Sequence, residues 1–194
     1  MKKTLLFALL ALFFVACSKD DDTLSSDADF FFLGKLDGVA VKHELTATND
    51  TEMSNSNGGS IGPPDCTIYY GCSIGGFDPG KTYFSVDFPD LFIGDCGTEG
   101  TVFPTLFPVG KWPFGDSQGQ VTVTYFDGIE SWTSSRLGQM SDAVFNVTKS
   151  EKMETVFGQS MSLRGTVTCT LYSGSGESKK LEAGAFSMNF VPYF

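Results

Sequence analysis

The chain has 194 residues and a formal charge of −10, with 13 basic side chains against 23 carboxylates and one histidine. That acidity repels phosphate backbones and anionic headgroups, so nucleic acid is not an expected partner. Aromatic residues make up 14% of the chain, with 19 Phe and 22 Gly, a composition that favours strands over helices in a body of ordinary domain size.

Residues 1–16 place Lys2 and Lys3 before an apolar run from Leu5 to Val15 and the small residue Ala16. That order is a secretory signal peptide, with an apolar part too short for a permanent span. Cys17 follows, and Phe14-Val15-Ala16-Cys17 resembles the bacterial lipobox, in which the thiol takes a diacylglycerol and the new amino end an acyl chain such as palmitate. At about 0.8 kcal/mol per buried methylene, two or three chains make a lasting anchor. Lys19-Asp20-Asp21-Asp22 resembles the short charged export signal of surface lipoproteins in Bacteroidota, and Asp22-Thr23-Leu24 resembles that phylum's O-glycosylation site at Thr23. Residues 17–29 are therefore read as a lipidated acidic tether, and 30–194 as one domain.

Within that domain the segment from Asp29 to Lys35 and the segment from Val39 to Thr46 flank Asp37-Gly38, a hairpin signal because both turn residues tolerate positive φ. His43 falls on the apolar face of the second arm with Val39, Val41 and Leu45. Thr48 to Asp65 is rich in Asn, Ser, Gly and Pro and reads as a mobile surface loop. Cys66 to Ile74 and Lys81 to Phe88 alternate as strands, with Cys66, Ile68, Tyr70, Cys72 and Ile74 on one side of the first and Phe84, Val86 and Phe88 inward in the second. Pro89 to Lys111 reads as irregular, because Pro89, Pro104 and Pro108 exclude a central strand. Further strands are expected at Gln120 to Phe126, Ile129 to Ser134, Asp142 to Lys149, Ser160 to Tyr172 and Ala183 to Val191. About nine strands and no convincing helix beyond the signal peptide predict an all-β fold. The form expected is an antiparallel β-sandwich, immunoglobulin-like or jelly-roll-like, with a partly open β-barrel as the alternative.

Several short segments support that reading. Phe32-Leu33-Gly34-Lys35-Leu36-Asp37-Gly38-Val39, Gly119-Gln120-Val121-Thr122-Val123-Thr124, Gly165-Thr166-Val167-Thr168 and Gly184-Ala185-Phe186-Ser187 resemble small lipoprotein domains of Bacteroidota of uncharacterised function. Those domains open on a Gly-Lys-x-Asp-Gly turn, often followed by Trp where this chain has Val39. The resemblance implies a β-sandwich on a surface lipoprotein and brings no catalytic residues.

Four cysteines remain after lipidation: Cys66, Cys72, Cys96 and Cys169. In an exported protein they are disulfide candidates with three connectivities. Along an extended strand Cys66 and Cys72 stand ~20 Å apart, against the ~6 Å a bridge permits, so each would need Cys96 or Cys169. Cys169, mid-strand on an apolar face, reads equally well as a buried free thiol. No two cysteines have the close spacing of a zinc site. Asp87, Asp90 and Asp95 form a calcium candidate without EF-hand spacing, and no cofactor motif is present. One histidine on an apolar face offers no catalytic base, and beyond the tether only Asp50 and Glu52 have acid-x-acid spacing.

Trp112, in a Pro- and Gly-rich loop, and Trp132, of opposite parity to Ile129, are candidate platforms for sugar rings. The sequence thus points to an outer-membrane lipoprotein, lipid-anchored and facing the cell exterior, that acts as a non-catalytic binding module for glycan. The alternatives are an accessory subunit docking on another envelope protein through a strand edge, and a hydrolase.

Overall fold

A computed structural model describes residues 25–62, 65–155 and 158–193. The expected signal peptide, Cys17, Lys19 to Asp22 and Thr23 lie outside the described residues.

The described residues form eleven strands, β1 (Phe31–Leu36), β2 (Val39–Glu44), β3 (Glu52–Gly62), β4 (Asp65–Gly75), β5 (Tyr83–Asp95), β6 (Gly110–Trp112), β7 (Thr122–Phe126), β8 (Ser131–Thr133), β9 (Val144–Thr155), β10 (Gly158–Tyr172) and β11 (Ser178–Phe190). Ten antiparallel ladders join these strands and arrange them in two layers. One layer runs β6-β9-β10-β11-β1-β2 and the other β8-β7-β5-β4-β3, every ladder antiparallel. Among the described residues, the strand pairing that joins them is Tyr172 at the end of β10 with Thr133 of β8. The sheet does not close into a barrel; it folds over itself as an all-β sandwich.

Period-two alternation explains the core. Cys66, Ile68, Tyr70, Cys72 and Ile74 from β4 are buried, as are Phe84, Val86 and Phe88 from β5, Met161, Leu163, Val167, Cys169 and Leu171 from β10, and Phe186, Met188 and Phe190 from β11. Aromatic rings bridge the layers. Phe32 stacks on Phe84 at 3.6 Å between centroids, while Phe88 meets Phe145 at 6.1 Å and Phe190 at 5.5 Å. Burying such a ring contributes about 1.5–3 kcal/mol. The Asp37-Gly38 hairpin forms as expected, with φ of 49° and 80°.

Three expectations need correction. Residues 52–62 of the expected mobile loop are strand β3, paired residue for residue with β4 from Glu52 opposite Gly75 to Gly62 opposite Asp65. Hydrogen bonding to a well-packed neighbour orders a segment that carries little apolar surface of its own. The strand through Phe88 also continues past Pro89 to Asp95, because the chain bulges there. Tyr70 pairs with Phe88 and Ile68 with Phe92, and Asp90 takes φ 46°. A bulge is where a proline's missing N–H costs least. The count is eleven strands instead of about nine, the additions being β3 and the three-residue β6.

After β5 come short helical turns at Cys96–Thr98, Glu99–Val102 and Phe103–Thr105. They lay Phe103 and Phe107 against Tyr70 and bury Glu99. The Tyr70 hydroxyl and the Tyr193 backbone N–H both donate to Glu99 Oε1, so one carboxylate fastens the C-terminal tail under this cap. Burial first, then the adjacent Glu99, pushes the Tyr70 phenol well above its ordinary range.

Candidate functional site: a hydroxyl-lined groove with an aromatic rim

Antiparallel register places directly opposed residues on one face. On the outer face of the five-stranded layer this produces a continuous row, Ser54 opposite Ser73, Ser73 opposite Ser85, Ser85 opposite Thr124 and Thr124 opposite Thr133. At ~4.8 Å per strand the row of hydroxyls extends ~19 Å. A parallel row holds Ser56, Gly71, Asp87 and Thr122, and a third holds Glu52, Gly75, Tyr83, Phe126 and Ser131.

The third row supplies the rim. Tyr83 stacks on Phe126 at 5.2 Å and 24°, and Phe77, from the loop joining β4 to β5, leans on Tyr83 at 5.5 Å and 38°. Phe77 is 41% exposed. Between this ribbon and the hydroxyl rows lies a groove of about 400 Å3. Asp87, which lines it, stands close over Gly71, where a Cβ would be 2.2 Å from Asp87 Oδ1 and 2.3 Å from Ser56 Oγ. The absent side chain lets both groups lean over the glycine. Ser85 Oγ donates to Asp87 Oδ2 at 2.9 Å. Burial raises the Asp87 carboxyl above its ordinary range, with the Ser85 hydrogen bond opposing.

Serine and threonine hydroxyls donate and accept and can rotate to suit a partner. Beside them, the exposed Phe77 ring and the half-buried Tyr83 and Phe126 rings offer an apolar surface with one polar tip, on Tyr83. A few convergent polar groups beside an apolar wall are the features of a small-molecule site. Asp87 is the carboxylate lining this groove. Glu52 lies two strands and four residues away, ~16 Å by strand geometry, beyond the ~9.5 Å at which two carboxylates act on one glycosidic bond. A larger depression of about 600 Å3 on the six-stranded layer is ringed by Asp29, Glu151, Lys152 and Arg164. Its opposed charges offset one another, and its one ring, Phe30, is partly buried against the core.

The candidates from the sequence fall elsewhere. Trp132 is 5% exposed; its Nε1 donates to Asp127 Oδ2 at 2.7 Å, and Lys179 Nζ lies 3.9 Å from its ring centroid. Buried in this way it is no platform; Ile129, the reference for its parity, sits in the turn at 90% exposure, so the parity is inverted. Trp112 is half-buried, packed on Phe88 at 4.9 Å with Nε1 donating to Pro108 O. His43 is buried and lies 6.4 Å from Phe32 and 6.5 Å from Tyr125 between ring centroids, its pKa lowered by burial. Cys66 bridges Cys96 at a Cα separation of 5.1 Å, while Cys72 and Cys169 are buried free thiols. Cys72 therefore needs no partner, contrary to expectation, whereas the buried-thiol reading of Cys169 holds. Asp87, Asp90 and Asp95 do not converge: Asp87 turns to Ser85, Asp90 occupies the exposed bulge, and Asp95 Oδ1 accepts from Gly97 N. Among the described residues no group of three or more His, Cys, Asp or Glu is placed to hold a metal ion.

Phe77, Tyr83 and Phe126 were the residues sequence reasoning passed over. The available signal was a large aromatic on the polar parity of its strand, Tyr83 with Ser85 and Asp87, and Phe126 with Thr122 and Thr124. No family model, curated protein or solved structure matches the chain.

Proposed function

We propose that this is a lipid-anchored protein of the bacterial outer surface that binds neutral glycan in the groove and performs no chemistry on it. The observation that carries the reading is the meeting of a five-strand row of hydroxyls with the Phe77, Tyr83 and Phe126 ribbon. Sugars present apolar C–H faces and polar hydroxyl edges, and the groove offers a partner for each. The anchoring rests on the sequence around Cys17; among the described residues no helix is long and apolar enough to cross a membrane. Hydrogen exchange of the mature chain with and without a panel of neutral polysaccharides tests the binding. Protection is expected along β4, β5 and β7, and protection confined to the six-stranded layer would refute the assignment.

Docking on an envelope protein is a second reading, favoured by β3. Among the described residues this eleven-residue edge pairs only with β4, and Glu52 is its one charged side chain. Elsewhere the open edges are guarded, β2 by Lys42 and Glu44 and the outer run of β9 by Lys149, Glu151, Lys152 and Glu154. Crosslinking in intact cells at Ser56 or Ser60 should capture a partner under this reading, and the substitution Ser56→Lys should abolish capture.

A further inference from the structure

We infer that Asp87 sets the class of glycan the groove accepts: it takes hydrogen bonds from paired ligand hydroxyls and turns away chains that carry carboxylate or sulfate. This rests on the glycan reading above and adds the residue that selects.

Charge is the first argument. The groove is lined by Ser54, Ser73, Ser85, Thr124 and the rings of Phe77 and Tyr83, with Asp87 the one charged group and no cation to balance it. An anionic ligand group entering the groove meets that carboxylate in partly desolvated surroundings, where like charges repel more than in bulk water. A neutral ligand meets an acceptor.

Geometry is the second. Ser85 occupies Oδ2, and Oδ1 leans over Gly71 toward Ser56 Oγ. A carboxylate has about four lone-pair sites, so one donor leaves capacity at both oxygens. Hydrogen bonds to an ionised acceptor are roughly twice as strong as neutral ones. Burial disfavours the carboxylate's charge, and ligand hydroxyls would restore the donors that burial withholds.

The test uses the mature chain and three soluble neutral polysaccharides, dextran, galactomannan and xyloglucan, each paired with its carboxymethylated derivative. Calorimetric titration of the wild type should show binding to at least one neutral chain, and about tenfold weaker binding to its charged counterpart. Asp87→Asn should weaken the neutral complex about tenfold and narrow the gap between the two chains to about threefold or less. Gly71→Ala, which pushes Oδ1 and Ser56 Oγ aside without changing charge, should weaken neutral binding and keep the gap. Equal binding of neutral and charged chains by the wild type, or a preference for the charged ones, overturns the inference. So does neutral binding that Asp87→Asn leaves unchanged, and in that case the glycan reading itself survives. Failure of the wild type to bind any of the three pairs removes both.

Discussion

Replacing Cys66 and Cys96 together by Ala should cost the protein about 3.6 kcal/mol, from the chain entropy of a cross-link between residues 30 apart in sequence. The bridge ties the start of the helical cap to β4, four residues from the Tyr70 that meets Glu99 beneath it. Alanine is the informative replacement, since Cys66 is fully buried and serine would add a buried hydroxyl. For a chain of this size each kcal/mol moves the melting temperature by about 2–4 °C, so the fall should be about 7–14 °C. The assay is thermal melting of wild type and double variant with and without a phosphine reductant. Reduction should bring the wild type down to the variant and leave the variant where it is. A wild type whose melting temperature does not move after mass spectrometry shows the bond reduced would refute the loop-entropy reasoning. A non-reducing peptide map that finds Cys72 or Cys169 in the bridge would refute the pairing.

Other outcomes follow from the titrating groups. Burial raises the Asp87 carboxyl above its ordinary range, so its cost is absent at low pH and develops as pH climbs from the unfolded value to the folded one; Asp87→Asn should melt higher than wild type at pH 7, with the gap closing toward pH 3. Asp127 behaves oppositely. Burial works to raise its carboxyl, but hydrogen bonds from the Glu130 and Ile129 amides, Lys179 and Trp132 outweigh it and hold the group well below the usual range. Its stabilisation is present above pH 4 or so and lost as pH falls through the depressed value, so Asp127→Asn should cost about 1–2 kcal/mol at pH 7 and much less near pH 2, read by denaturant unfolding. Burial lifts the Cys72 and Cys169 thiols to about 12, so at pH 8 neither should react with iodoacetamide until the protein is unfolded, as mass spectrometry of the alkylated protein would report.

The sandwich was legible wherever one face of a strand is buried, because there every second residue must be apolar. Ser160 to Tyr172 alternates almost without fault and is β10. The same logic misses β3, whose Ser, Asn and Gly residues show no alternation and whose order comes from the backbone of β4. It also misplaces Trp132, since a parity argument needs its reference residue inside the strand and Ile129 is in a turn. Pro89 looked like a strand end because its effect depends on a bulge that only the pairing partner reveals. The groove was harder still to read. Ser54, Ser73, Ser85, Thr124 and Thr133 are spread over eighty residues of chain and meet only through the register of four ladders. Each is an unremarked outward residue in its own strand; the row exists only across the sheet.

The central claim is tested most directly by titrating neutral polysaccharides into the mature chain beside a Phe77→Ala, Tyr83→Ala double variant with an unchanged melting profile. The account predicts saturable binding to the wild type that falls by tenfold or more in the variant, since both rings leave the wall of the groove. Binding of equal strength in the two proteins would contradict it and move the ligand away from this face.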